Sequence, residues 1–273
     1  IGKDAGVTFN QPNAQASILN RVTNGSSEIA GQINANGQVF LLNPNGILFS
    51  STAQVNTASL VAATGDISDT DYLTGRGTLH NSANGTISNQ GNLTVAQGGK
   101  IILSSQQVNN SGNITAKQGQ VQLLAGQNAR VNITADGLIA TELEIDNNNT
   151  ASINNSGNIS ATGGRVDVLA AGPNSQITHT GIIEAQSTVV KDGKIYLVAG
   201  YQGEGVAPKS GLAVIDGQLD VSAPYGGNGG FVETSAGHIK IGDQTRVIGT
   251  ALHGNTGLWL IDPQDFTVAA TGG

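Results

Sequence analysis

The sequence predicts an all-β protein: a right-handed parallel β-helix with antiparallel β excursions near its N-terminus. Three observations carry that prediction. Apolar and polar residues alternate in runs of four to seven that break at Gly, Asn or Asp, the pattern of short strands and corners, and helical periodicity is hard to find. The breaks recur: Gly91-Asn92-Leu93-Thr94, Gly112-Asn113-Ile114-Thr115, Gly137-Leu138-Ile139, Gly157-Asn158-Ile159-Ser160 and Gly181-Ile182-Ile183 stand 21, 25, 20 and 24 residues apart. Three short strands per repeat of that length make one rung of a β-helix. Finally, one Trp, four Tyr and five Phe among 273 residues leave only small and β-branched side chains to fill a core, which must be thin. Stacked rungs suit such a composition, because like positions pile into Ile and Leu ladders inside and into Asn and Thr ladders that hydrogen-bond. Right-handed coiling follows from the general preference of parallel crossovers.

Taken in order, the first stretch carries the turn-forming pairs Asn24-Gly25, Asn36-Gly37 and Asn45-Gly46. These predict antiparallel excursions over residues 1–80 and regular rungs after about residue 80. Within it, Val39 to Leu42 and Ile47 to Phe49 flank Asn43-Pro44-Asn45-Gly46. Pro44 fixes φ, Asn45 can bond its own backbone and Gly46 tolerates any φ, so the four residues form a tight turn between two strands. Further on, a second anchor follows within most repeats, at Gly99-Lys100-Ile101, Gly119-Gln120-Val121, Gly164-Arg165-Val166 and Gly193-Lys194-Ile195. A third short stretch such as Gln107-Val108-Asn109 or Ser152-Ile153-Asn154 completes the rung. Residues 201–211 break the spacing with Gly, Pro and polar residues and are expected to form an exposed loop, after which Gly217-Gln218-Leu219 restarts the pattern. Roughly a dozen rungs at about 4.8 Å each predict a rod on the order of 50–60 Å long.

Composition narrows the function classes. A net charge of −7 with a pI near 4.9 offers no basic patch for nucleic acid and disfavours anionic membranes. Cysteine is absent, which removes disulfides, thiolate metal sites and thiol catalysis. No apolar run approaches 18 residues, so no membrane-spanning helix is expected. With no Met anywhere, Ile1 is not a translation start, and a signal peptide with further domain residues is expected upstream.

The run through Arg21-Val22-Thr23, Gly31-Gln32-Ile33, Asn43-Pro44-Asn45-Gly46-Ile47, Ala53-Gln54-Val55-Asn56, Ser59-Leu60-Val61-Ala62 and Gly65-Asp66-Ile67 resembles the N-terminal secretion domain of the two-partner secretion (TPS) exoproteins, the filamentous haemagglutinin family of adhesins. The resemblance is close over residues 2–70 and extends in style to Gly229-Gly230-Phe231 and Leu258-Trp259-Leu260. It implies a domain exported to the periplasm, met there by a dedicated outer-membrane transporter, threaded outward unfolded and folded at the surface. It also marks Asn43, Pro44, Asn45, Gly46 and Ile47 as the transporter-recognition and folding motif. On this reading residues 1–205 are the secretion domain, N-terminally truncated, and residues 206–273 continue the β-helix as the start of the exoprotein rod. Host surfaces or glycans would be met through downstream regions. The alternative is a structural or adhesive rod that itself binds host surfaces, glycans or other copies of itself.

Enzymatic β-helices need clustered carboxylates on neighbouring rungs. Glu142, Glu144 and Asp146 alternate with Leu143 and Ile145 and read as the solvated face of one strand, with a calcium site involving Asn147 as the sharper possibility. Asp262 and Asp265 flank Pro263 as turn and strand-end residues, and Trp259 between two leucines reads as packing. His80, His179, His238 and His253 lack any metal spacing and are expected at the surface. Asn-x-Ser/Thr sequons, at Asn24, Asn84, Asn92, Asn113, Asn132 and Asn158 among others, follow from composition; the resemblance also admits sugars on them. No catalytic site, metal or cofactor is expected, and the chain is read as no enzyme.

Overall fold

The computed structural model describes residues 1–134, 137–144 and 150–265. The chain winds through three parallel sheets that form the faces of a rod. Each rung visits the first, second and third face in turn, as in Asn92–Val95, Lys100–Ser105 and Gln107–Asn110. Nine strands stack on each of the first two faces and eight on the third. Among the described residues this is nine rungs rather than a dozen, and at ~4.8 Å per rung a rod roughly 40 Å long. The shortfall has a physical cause: two segments that the repeat arithmetic counts as rungs leave the helix altogether.

Inside, like residues stack in register. Ile33, Val55, Leu93, Ile114, Ile159, Ile183 and Leu219 form one buried column, and Val39, Leu60, Ile101, Val121, Val166, Ile195 and Val232 another. Each such side chain contributes about 1.5–3 kcal/mol by leaving water. The columns stand close because glycines line the corners. A Cβ on Gly112 would sit 2.3 Å from the Gly91 carbonyl oxygen, and one on Gly157 only 2.2 Å from that of Gly112. Outside the first face, the sequon residues Asn92, Asn113 and Asn158 form the expected ladder: Asn113 donates to Asn92 Oδ1 at 2.8 Å and Asn158 to Asn113 Oδ1 at 3.1 Å.

The antiparallel part differs from the expectation in position. Residues 6–63 are regular parallel rungs, and the Asn-Gly pairs at 24–25, 36–37 and 45–46 are corners between successive faces rather than hairpin turns. Antiparallel pairing joins Gly65–Asp66, Arg76–Asn81, Asn128–Ile133 and Ile139–Leu143. Both contributing segments leave after a second-face strand, at Ala63 and Ala125, and return to the third face, so they meet over the outside of the second face as one sheet. Gly137, read from its spacing as the start of a rung, has φ +77° and belongs to the connection within the second excursion. The true step from Gly112 is to Gly157. Beneath the excursion, Phe40, Val61, Ile102 and Leu124 on the second face pack against Leu79, Val131 and Leu143 as a second core. Asn81 ties the first excursion to the rod by donating to Ser104 Oγ (3.0 Å) and to the start of the second excursion by donating to the Gly126 carbonyl (2.9 Å).

A short helix, Asp69–Thr74, sits within the first excursion. Ser68 caps it by accepting from the Asp71 N–H, and Gly75 closes it in the left-handed conformation. Arg21 of the first rung reaches up to Asp66 (2.7 Å), Asp69 (2.5 Å) and the Ile67 carbonyl, tying the excursion to the start of the rod.

Candidate functional site

The five motif residues form the corner between Gln38–Leu42 on the second face and Ile47–Phe49 on the third. Asn43 is fully buried, a position an amide tolerates only when its hydrogen bonds are made. They are made. Its Nδ2 donates to the Gly25 carbonyl (3.0 Å) and to Ser27 Oγ (2.8 Å) on the rung below, while its Oδ1 accepts the Asn45 N–H at 2.9 Å. The Asn43 N–H donates upward to the Ala63 carbonyl at 3.0 Å, and the Gly46 N–H closes the turn onto the Asn43 carbonyl at 3.1 Å. Gly46 returns a bond downward, accepting the Ser27 N–H at 2.9 Å. One side chain thus fixes its own turn and grips the neighbouring corner.

Gly46 has φ +106°, and a Cβ there would stand 3.2 Å from the Thr86 carbonyl oxygen. Gly46→Ala is expected to cost about 1–3 kcal/mol through backbone strain, read as a lowered urea midpoint with unchanged slope. Ile47 is buried between Ser27 below and Ile87 above, in the inward column. Pro44 and Asn45 are different. Both are exposed, and the Asn45 side chain makes a long bond of 3.4 Å to the Thr23 carbonyl. The motif therefore divides into a buried set (Asn43, Gly46, Ile47) that shapes the corner and an exposed pair (Pro44, Asn45) that faces solvent. The corner also lies directly beneath the place where the chain departs at residues 63–65 and returns at 82–86 for its first excursion.

Among the described residues, the other candidates stand apart from one another or pair at the surface. Glu142 and Glu144 both face Arg130 on the adjacent strand, at 3.5 and 3.2 Å. Asp146 and Asn147 lie outside the described residues, and among the described residues no three His, Asp or Glu converge as metal ligands. Because the Arg130 pairs are solvent-exposed, Arg130→Ala is expected to change the unfolding free energy by less than about 1 kcal/mol in a urea titration. Trp259 packs on the last part of the core and donates from Nε1 to Thr234 Oγ1 at 3.2 Å. Asp262 lies within the last strand opposite Ser235.

His179 overturns the expectation that all four histidines lie at the surface. It is fully buried, at the end of a polar column inside the third face. Phe49, Asn89, Asn110, Asn155, His179 and Ile215 occupy equivalent positions on successive rungs. Asn89 Oδ1 accepts the Gly91 N–H at 3.2 Å, which orients every amide above it. Asn89 donates to Asn110 (2.8 Å), Asn110 to Asn155 (2.7 Å), and the Asn155 amide faces His179 Nδ1 at 3.1 Å, leaving His179 Nε2 to donate to the Gln218 carbonyl at 3.1 Å. The signal was in the sequence: each of these side chains precedes a corner glycine by two, at Gly91, Gly112, Gly157 and Gly181.

No helix among the described residues is long and apolar enough to cross a membrane. A family model described as TPS secretion domain matches residues 1–200. Two curated relatives from Haemophilus influenzae, each a heme/hemopexin-binding protein, are 46% identical over 68 residues, or 24% of this chain. The match spans only 8% and 7% of their respective lengths. Among solved structures, the HMW1 secretion domain from Haemophilus influenzae aligns with a TM-score of 0.58 and 25% identity, covering 96% of this chain and 90% of that one.

Proposed function

This chain belongs to the TPS secretion domain family, and on that premise we propose that it directs a large exoprotein through a dedicated outer-membrane pore and nucleates β-helical folding at the cell surface. The observation that carries the proposal is Asn43: a fully buried amide whose bonds join one corner to the corner below, at the foot of the first excursion. Residues 1–205 are taken as the secretion unit and 206–273 as the continuing rod.

Physical chemistry supports a folding-coupled export. The outer membrane offers no nucleotide to drive transport, whereas a rod folds by adding rungs, each stabilised on the one before. A rung formed outside opposes return of the chain through a narrow pore. Buried Asn43, Gly46 and Ile47 would set the second rung and support the departure of the excursion that covers the second face. Pro44 and Asn45, whose side chains the folded corner leaves exposed, are the residues of the motif free to serve recognition by a periplasmic domain of the transporter. Recognition of the extended chain would precede folding.

The test is release into medium from a Gram-negative host carrying this segment behind a signal peptide, with and without the cognate pore. Release that depends on the pore is expected. A folded rod retained in the periplasm whether or not the pore is present would overturn the proposal.

A further inference from the structure

The outside of the second face carries a cleft between two parts that leave the rod at the same edge, strand Ile139–Leu143 of the excursion and the loop at residues 202–211. Its cavity, about 460 Å³, falls in the range typical of small-molecule sites. A second, shallower depression of about 490 Å³ lies at the neighbouring corner, and the two share Lys100, Gln120 and Arg165 as their common wall. We propose that this continuous groove binds an acidic saccharide, with its anionic group at Lys100 and Arg165 and its hydroxyls directed into the cleft.

The floor is a built site. Lys100, Gln120, Arg165 and Lys194 stand in one column on successive rungs, and Gln122, Asp167, Tyr196 and Glu233 in the next. Asp167 is buried, and both of its oxygens are occupied: Arg165 Nε donates at 2.5 Å, Gln120 Nε2 at 2.6 Å and Gln122 Nε2 at 3.4 Å. It therefore acts as an anchor. The guanidinium it holds lies over the Tyr196 ring, 4.2 Å from the centroid, with Glu204 on the loop 3.9 Å from Nη1. The remaining Arg165 donors have no protein partner among the described residues. Lys100 is the sharper indication: half-buried, its ammonium makes no hydrogen bond or ion pair among the described residues. Burial holds it below the usual lysine range, with Asp167 opposing and Arg165 adding to that shift. A half-buried, unpartnered cation that lines the same groove as an oriented guanidinium, with Gln120 between them in the column, is an arrangement completed by an anionic ligand.

Charge along the groove selects among anions. Toward the corner, the depression is lined by Lys191 and Lys194 with Asp192 as the one carboxylate among its lining residues, whereas the deep end carries Glu142, Glu204 and Glu233 beside Tyr196 and Tyr201. The deep end would repel a second carboxylate but accept hydroxyl protons. A bare anion would leave that cavity unfilled, and an acidic peptide would bring carboxylates to its acidic end. The inference concerns the folded rod and is independent of how the chain is exported.

Titration of the purified 273-residue chain at low salt, followed by amide chemical shifts or calorimetry, tests it. The ligands are a hyaluronan tetrasaccharide, which alternates carboxylated and neutral sugars, then neutral chitotetraose, sodium sulfate and tetraglutamate. Saturable binding of the hyaluronan tetrasaccharide alone is expected, weakened about tenfold or more by Lys100→Gln. The exposed pair Lys191→Ala with Lys194→Ala should weaken it severalfold without altering the melting curve. Absence of saturable binding, or affinity unchanged in both variants, would overturn the proposal. Sulfate binding as tightly as the tetrasaccharide would reduce the site to an anion site, and equal binding of tetraglutamate would make it a peptide groove; either result overturns the saccharide assignment.

Discussion

Asn43→Ile is expected to abolish pore-dependent release and to lower the unfolding free energy of the rod by about 2–4 kcal/mol. The magnitude follows from what the substitution leaves behind. The Gly25 carbonyl and Ser27 Oγ lose their donor and the Asn45 N–H loses its acceptor, each unpaired group costing about 1–3 kcal/mol if it stays dry. Gly25 and Asn45 lie at the surface, so water recovers part of that cost. Isoleucine adds apolar volume but no compensating bond, in a site shaped for a planar amide. The division of the motif then separates two mechanisms. Pro44→Ala and Asn45→Ala should change stability by less than about 1 kcal/mol, because both side chains are exposed. If they reduce release while Asn43→Ile destabilises and blocks it, the corner is both a folding element and a contact surface. If they release normally, the motif acts through folding alone. Normal release of Asn43→Ile would remove the motif's role in export, and undiminished stability would remove the structural account of it.

The rungs were legible because stacking repeats sequence: Gly91, Gly112, Gly157 and Gly181 align by eye, and the apolar residues two places beyond them fall into one buried column. The corner at residues 43–47 was legible for a related reason, since its turn residues are local. The excursions were not, because they interrupt the repeat without breaking the composition. Gly137-Leu138-Ile139 has the look of a rung start and lies instead in an antiparallel arm, identified only by its pairing with Asn128–Ile133, which pairs in turn with Arg76–Asn81. The Asn-Gly pairs before residue 50 misled in the opposite sense, since a β-helix corner and a hairpin turn ask the same backbone freedom of glycine. The cleft was hidden for the same cause. Arg165-Val166-Asp167-Val168 reads as a strand with a polar, solvated face, and nothing local says that an arm from residues 139–143 and a loop from 202–211 wall it in.

A rod with His179 intact should lose stability as the pH falls below about 6.5, the value for a histidine in an unfolded chain, and His179→Asn should remove that loss. The native ring is held neutral: burial lowers its proton affinity, and its bond to the Gln218 carbonyl only partly opposes that. Its folded pKa therefore lies below the unfolded one. In the window between them the unfolded chain takes up the proton and the native chain does not, so stability is complete above the unfolded value and declines with acid. The ladder adds a geometric reason. From the Gly91 N–H onward every amide is oriented in one sense, so the last one presents its N–H to His179 Nδ1, and a proton on that nitrogen would set donor against donor. Neither partner carries a charge that could stabilise an imidazolium. Asparagine at this position continues a column already built of Asn89, Asn110 and Asn155, and it does not titrate. His179→Ala instead leaves a cavity and an unpaired amide and should cost about 2–4 kcal/mol even at pH 8. Asp167 works against the histidine, since burial raises its pKa in spite of Arg165 and acid therefore favours its folded form. That contribution is common to the rod and to His179→Asn, so the difference in urea midpoint between them, followed from pH 8 to pH 5, isolates the ring. A difference that stays flat across the range would mean that the ladder accepts the proton by turning its amides over, and that the orientation imposed by Gly91 does not reach His179.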